Sequence, residues 1–101
     1  MTPMRLRQYR AFHILMQTGS VTRAAELLSI SQPAVSKLLQ SLESDIGVAL
    51  FDRSRRRLTP TMEADRLHEH VDQFFQMANG IDGIANQLRL RAARSASRPH
   101  N

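Results

Sequence analysis

The 101-residue chain contains no cysteine and no tryptophan, and only 5% of its residues are aromatic. The lack of cysteine excludes disulfide frameworks, thiolate zinc sites and cysteine nucleophiles. Its four glycines, at positions 19, 47, 80 and 83, cannot form a dinucleotide-binding or Walker loop. The longest apolar run, residues 48–51, is far too short to span a membrane, and the first residues carry no apolar signal-peptide core. We therefore expect a small, soluble, cytoplasmic domain with a modest aliphatic core.

The net charge of +5 is unevenly distributed. Residues 1–60 carry nine basic side chains against four acidic ones, residues 61–87 carry one against five, and four arginines follow. A basic first segment of this kind indicates a surface that binds a polyanion such as nucleic acid. A solvated basic face that serves solubility is the alternative, and charge by itself does not separate the two.

Three short helices joined by tight turns are predicted at the start of the chain. Gly19 marks the end of the first helix, and Ser20 is a good N-cap for the second. Ser31 and Pro33 mark the start of the third helix, and Gly47 marks its end. The predicted helices cover residues 5–18, 21–28 and 31–46. The core-facing side chains of the first two are Leu6, Tyr9, Phe12 and Met16, then Ala24, Ala25 and Leu28.

A basic loop is predicted after the third helix. Two apolar anchors, residues 48–51 and Leu58, bracket an arginine-rich stretch, which favours two short strands around a loop. The arginines of this stretch are Arg53, Arg55, Arg56 and Arg57. Guanidinium groups at this density suit phosphate contacts or insertion into a narrow minor groove, and a merely solvated turn is the alternative.

A long helix is predicted from Thr59 as N-cap and Pro60 as first helical residue. Its apolar positions step by four and three residues, which is the spacing of a coiled-coil seam. The seam residues are Leu67, Val71, Phe74, Ala78, Ile81, Ala85 and Leu88. We expect a homodimer through this seam, with local softness at Asn79, Gly80 and Gly83 because interior glycines disfavour helix.

The third helix has two chemically distinct faces at 100° per residue. The apolar face holds Val35, Leu38, Leu39, Leu42 and Ile46, and the polar face holds Pro33, Ser36, Lys37, Gln40 and Ser44. Gln32 can pair with adenine N6 and N7, and Lys37 can donate to guanine O6 and N7. An ordinary solvent face is the alternative. The position of this helix after a short helix and a tight turn favours a helix-turn-helix.

Several separated motifs give the chain a specific resemblance. They are Phe12, Ser20-Val-Thr-Arg-Ala-Ala-Glu26-Leu-Leu, Ser31-Gln-Pro-Ala-Val-Ser-Lys37, Leu42-Glu43, Gly47, Leu50-Phe51-Asp-Arg53 and Leu58-Thr-Pro60. In this order and spacing, from about residue 4 to residue 90, the chain resembles the N-terminal domain of a LysR-type transcriptional regulator. The resemblance implies a mainly α fold, a winged helix-turn-helix of three helices and a two-stranded wing, followed by a long linker helix that pairs in a dimer.

The same resemblance assigns roles to individual residues on double-stranded DNA. The base-facing residues are Gln32, Pro33, Ser36 and Lys37. Those it places near phosphates are Thr22, Ser31 and Arg53. We also expect Arg23 and Gln40 near the backbone, and Arg55, Arg56 and Arg57 there in the wing. Two positions depart from the family pattern: Thr61-Met62 replaces a small residue and glycine, and Lys37 replaces a common arginine, which changes a planar fork into a point donor.

The resulting organisation is a DNA-binding domain over residues 1–60, a dimerisation helix over 61–91 and a disordered tail over 92–101. Family members continue into a larger effector-binding domain, so a small-molecule effector is expected only if such a domain exists. The protein is expected in the cytoplasm, with the nucleoid when bound to DNA. A second hypothesis is a truncated interaction protein that captures full-length relatives in heterodimers through helix 61–91.

Neither metal binding nor catalysis is predicted. His68 and His70 point apart on a helix, and the better constellation, Asp65, His68 and Asp72, is a common exposed face. No serine, histidine and aspartate combination has a supporting turn, so we expect no enzyme and no cofactor.

Overall fold

The computed structural model describes residues 5–54 and 57–97. The chain divides into two compact units, the first ending at Val71 and the second beginning at Asp72. The elements are α1 (Leu6–Thr18), α2 (Val21–Leu28), α3 (Gln32–Ile46), β1 (Phe51–Asp52), β2 (Thr59–Pro60) and α4 (Met62–Ser97). Within the described residues, no helix is both long and apolar enough to cross a membrane.

The boundaries of α1, α2 and α3 confirm the predicted capping residues. Ser20 Oγ accepts a hydrogen bond from the Arg23 N–H at 3.1 Å, and Ser31 Oγ accepts one from the Ala34 N–H at 3.2 Å. Gly19 and Gly47 follow α1 and α3 in the left-handed conformation, with φ of 68° and 84°. These short-range hydrogen bonds satisfy backbone groups that a helix end leaves unpaired.

The core of the first unit differs in part from the predicted apolar stripes. In α1 the buried residues are Ala11, Phe12 and Leu15, whereas Leu6 is 45% exposed and the other two predicted residues are half-buried. The face of α1 that packs in the core is therefore displaced from the predicted apolar stripe. This face contains Ala11, whose small side chain permits close approach of neighbouring helices. In α2, Ala24 and Ala25 are buried as predicted and Leu28 is half-buried.

The apolar face of α3 is confirmed at its centre. Val35, Leu39 and Leu42 are buried and Leu38 is half-buried. Ile46 is 41% exposed, contrary to the prediction. It is the last residue of α3, directly before the cap residue Gly47.

The wing is a two-stranded antiparallel sheet, as predicted, in which Phe51 pairs with Pro60 and Asp52 with Thr59. The predicted start of the long helix was wrong. Thr59 and Pro60 form β2, and Thr61 caps α4 by accepting the Ala64 N–H on its Oγ1 at 3.2 Å. The Thr-Pro pair is compatible with a strand end as well as with a helix start, and pairing with β1 decides between them.

The long helix α4 is helical through Gly80 and Gly83. It passes the predicted end at residue 91 and reaches Ser97, so residues 92–97 are helical where a disordered tail was predicted. This segment contains three alanines and an arginine, all strong helix formers, which explains the extension. Residues 98–101 lie outside the described part of the chain. Residues 62–71 belong to the first compact unit, so the unit boundary falls inside the predicted dimerisation helix.

Candidate nucleic-acid interface

A tight turn fixes the start of α3 relative to α2. Ser29 adopts a left-handed conformation with φ of 56°, and its N–H donates to the Glu26 carbonyl at 3.2 Å. The Ile30 N–H donates to the Ala25 carbonyl at 3.1 Å. These bonds complete the end of α2 and turn the chain within three residues, 29–31. The pair α2–α3 is therefore a helix-turn-helix whose second helix is anchored by its buried face.

The N-terminal half of α3 presents an exposed polar face. Gln32, Pro33, Lys37 and Gln40 are exposed and Ser36 is half-buried. The first eleven residues of α3, 32–42, contain no acidic side chain. The helix N-terminus also carries a partial positive charge from its unpaired N–H groups, which favours an anion nearby. The surface combines amide, hydroxyl and ammonium groups with a positive potential.

Both carboxylates in the second half of α3 are paired with arginines. Glu43 Oε1 lies 2.9 Å from Arg53 Nη2, and Asp45 Oδ2 lies 2.6 Å from Arg5 Nη1. Arg5 Nη1 also donates to Ser41 Oγ at 3.2 Å. These ion pairs reduce the negative potential that α3 would otherwise present to a polyanion.

Glu43 connects α3 to the wing and was not identified as a functional residue from sequence. Its Oε2 accepts the Leu50 N–H at 2.7 Å and the Phe51 N–H at 3.4 Å, while Oε1 pairs with Arg53. The Glu43 side chain is only 11% exposed. The partners lie seven to ten residues away across a glycine turn, so no short-range pattern could have revealed them.

The two wing arginines within the described residues, Arg53 and Arg57, are exposed. Arg53 is 46% exposed despite its pair with Glu43. Arg57 is exposed, and Arg55 and Arg56 lie outside the described residues. At the start of α2, Thr22 is exposed, and Arg23 pairs with Glu26 at 3.1 Å on the surface.

The predicted seam residues of α4 differ in exposure. Val71 is 7% exposed and Leu67 is half-buried, both within the first unit. Phe74 is 38% exposed and Ala78 and Ala85 are half-buried, whereas Ile81 and Leu88 are 64% and 59% exposed. Two further residues, Met77 and Ile84, lie on this apolar face. Neither was predicted from sequence, because the steps of three and four residues that define the predicted seam skip both positions. The second unit thus carries a continuous apolar face along one side of α4.

Comparison with known proteins decides which helix-turn-helix family this is. The family described as "Bacterial regulatory helix-turn-helix protein, lysR family" matches residues 6–65, which contain α1, the helix-turn-helix and the wing. The chain belongs to the LysR family. The resemblance noted in the sequence motifs is confirmed, and this LysR-family domain is a winged helix-turn-helix of the DNA-binding type.

Two curated regulators illustrate the relationship. The LysR-family domain is 45% identical over 83 residues to the regulatory protein NocR of Agrobacterium fabrum, a match that covers 82% of this chain. It is 43% identical over 89 residues to the transcriptional activator protein LysR of Escherichia coli, which covers 88% of this chain. The chain spans only 28% and 29% of the length of these two relatives.

A solved structure supports the same assignment. The crystal structure of the BenM DBD in complex with benA site 1 DNA superposes with a TM-score of 0.75 at 27% identity. The match covers 85% of the LysR-family domain and 97% of the BenM chain. The arrangement of helices and wing is therefore that of a protein crystallised on DNA.

Proposed function

We propose that this LysR-family domain binds double-stranded DNA in a sequence-specific manner, as the DNA-reading part of a transcriptional regulator. The observation that carries the proposal is the exposed face of α3, which is polar, free of carboxylates through residue 42 and placed after a tight turn. A helix of this size fits the major groove of B-DNA, where base edges offer a distinct pattern of donors and acceptors.

In this proposal the start of α3 reads the bases. The exposed amide of Gln32 is suited to adenine, and the exposed ammonium of Lys37 is suited to guanine O6 and N7. Pro33 and Ser36 lie on the same face and contact bases through apolar and hydroxyl groups. Ser31, whose Oγ accepts the Ala34 N–H, retains its hydroxyl proton for a phosphate oxygen.

The remaining basic and polar residues fix the domain on the DNA backbone. Thr22 and Arg23 at the start of α2 and Gln40 on α3 contact phosphates, and the wing lies on the backbone or in the minor groove. In the wing, Glu43 occupies one side of the Arg53 guanidinium at 2.9 Å, and the other N–H groups of Arg53 donate to phosphate. The wing arginines 55–57 add further phosphate contacts.

We further propose that the domain acts as a homodimer through α4. Met77, Ile81, Ile84 and Leu88 are 57–70% exposed, and together they form one apolar face of the second unit. Covering such side chains with a second copy removes apolar surface from water. Two-fold symmetry then requires a DNA site with dyad symmetry, its half-sites about one helical turn apart.

The same apolar face also supports the second hypothesis, in which the chain captures longer relatives in heterodimers. A binding titration separates the two functions, because only the DNA-reading function requires tight binding to a specific duplex in the presence of scrambled competitor. Selection of bound sites from random duplexes should recover a single motif with dyad symmetry. Recovery of random sequences would contradict sequence-specific binding.

Substitution of the base-facing residues tests the groove assignment. Gln32→Ala and Ser36→Ala should each weaken binding to the selected site by about 1–3 kcal/mol and leave binding to scrambled duplex nearly unchanged. Gln17→Ala removes an exposed amide from α1 and serves as the matched control. Equal losses on selected and scrambled duplexes would show that Gln32 and Ser36 touch only the backbone.

Substitution of Ile81 tests the dimer. Ile81→Asp places a carboxylate in the proposed apolar interface and should convert the dimer to a monomer, since an unpaired charge is costly to bury. The monomer should bind a two-half-site duplex about 100-fold more weakly. Asn86→Asp is the charge control, because that residue is exposed and lies about 140° around the helix from Ile81. A wild-type monomer at micromolar concentration on its DNA site, seen by sedimentation, would refute the homodimer.

A further inference from the structure

Two histidines from distant parts of the chain meet in the first unit. His13 lies on α1 and His68 on α4, 55 residues apart in sequence, and His13 Nδ1 lies 3.1 Å from His68 Nε2. Their ring centroids are 5.2 Å apart with the planes inclined by 39°. Both residues are half-buried, so each remains partly accessible to solvent.

We propose that His13 Nδ1 and His68 Nε2 form a binding site for a divalent transition-metal ion such as Zn²⁺. Imidazole nitrogen is a preferred ligand of zinc, copper and nickel. Zinc–nitrogen bonds are about 2.0–2.1 Å, so two nitrogens 3.1 Å apart subtend an angle of about 100° at a shared ion. That angle lies between the octahedral and tetrahedral values, so the spacing of the two nitrogens suits a shared ion.

The hydrogens on the two imidazole rings can rearrange to allow an ion to bind. Without an ion, one ring nitrogen donates its hydrogen to the other across the 3.1 Å contact. Binding requires both facing nitrogens to present lone pairs, so each neutral ring carries its hydrogen on its other nitrogen. One ring changes tautomer, no net proton is released from the neutral pair, and water completes the coordination sphere.

Packing around the pair holds the two ligands in place before an ion arrives. Phe12, adjacent to His13, is 0% exposed, and Ala64, one turn before His68, is also 0% exposed. The Phe12 ring also meets the His68 ring edge to face, with centroids 6.0 Å apart. An ion held here would connect α1 to the first turns of α4 in the folded state only, and would therefore stabilise the first unit by linkage.

Sequence reasoning considered His68 only with residues on its own helix, Asp65, His70 and Asp72. The structure instead brings in His13 from α1, which no spacing along α4 could indicate. His70 is exposed on α4, two residues from His68, and it provides the matched control.

Zn²⁺ titration of the tag-free chain by calorimetry tests the site, together with ¹⁵N NMR of the imidazole nitrogens. The expected result is one saturable site, with the largest NMR shifts at His13 Nδ1 and His68 Nε2. His13→Gln and His68→Gln should each reduce affinity at least tenfold, and His70→Ala should leave it unchanged. Absence of saturable binding, or loss of binding in His70→Ala with retention in the other two variants, would overturn the proposal.

Thermal unfolding provides a second readout that does not depend on NMR. At a Zn²⁺ concentration tenfold above Kd, the Tm of the wild-type chain should rise by about 5 °C or more. The rise should disappear in His13→Gln and His68→Gln while both variants still unfold cooperatively without metal. A Tm rise of equal size in all variants would show that Zn²⁺ acts elsewhere on the chain.

Discussion

Replacing Glu43 by glutamine should loosen the wing from α3. In the native structure the carboxylate accepts two backbone N–H groups, from Leu50 at 2.7 Å and Phe51 at 3.4 Å, and pairs with Arg53 at 2.9 Å. Glutamine has the same shape but one acceptor oxygen and an NH₂ group. It can serve the Leu50 N–H only by turning its own NH₂ toward the Arg53 guanidinium.

The expected loss follows from these contacts. Hydrogen bonds to a charged group contribute about 1.5–3 kcal/mol, and neutral ones about 0.5–1.5 kcal/mol. The Arg53 pair is 46% exposed on the arginine side and is worth at most about 1 kcal/mol after solvent screening. We therefore expect Glu43→Gln to lower the free energy of unfolding by about 1–2 kcal/mol. At roughly 4–8 °C of Tm per kcal/mol for a domain of this size, the Tm should fall by roughly 4–16 °C.

Urea denaturation measures the free-energy change, and hydrogen exchange localises it. The Leu50 amide should exchange faster in Glu43→Gln, while amides in α1 keep their relative protection. Asp45→Asn is the matched control, because Asp45 also pairs with an arginine at 2.6 Å, but the two side chains are 43% and 38% exposed. We expect Asp45→Asn to cost less than about 1 kcal/mol. Equal destabilisation by both substitutions, or unchanged Leu50 exchange, would refute the proposed connection between α3 and the wing.

Two further outcomes test the wing and the long helix. Arg57→Ala should reduce the slope of log affinity against log salt by about 0.9 if it contacts one phosphate, whereas Arg89→Ala, which removes the same charge from α4, should leave the slope unchanged. An unchanged slope in Arg57→Ala would place that residue in solvent. Gly83→Ala should raise the free energy of unfolding by about 0.5–1 kcal/mol, since an added Cβ meets nothing within 4 Å. Gly47→Ala should lower it, because φ there is +84°, and the opposite order in denaturation midpoints would contradict both expectations.

The ends of α1, α2 and α3 were predictable from sequence because the interactions that make them are short-range. Ser20 and Ser31 each accept an N–H three residues ahead, and Gly19 and Gly47 adopt the left-handed backbone conformation that glycine favours. The polar face of α3 was equally readable, since it depends only on the helical period. The family motifs combine these same local signals.

Features that depend on contacts between separate elements were visible only in the tertiary structure. Packing chose Ala11 and Leu15 for the core of α1 over Leu6, although the sequence pattern favoured Leu6. Pairing of β1 with β2 moved the cap of α4 to Thr61.

The contacts of Glu43 with the wing, and of His13 with His68, join residues seven to 55 positions apart. Periodicity and capping rules describe neighbours along one helix, and they carry no information about which side chains meet when separate elements pack. The sequence by itself therefore determined the first three helices, the presence of a wing and the family. The bounds of α4, the connection of the wing to α3 and the histidine pair depend on how those elements pack.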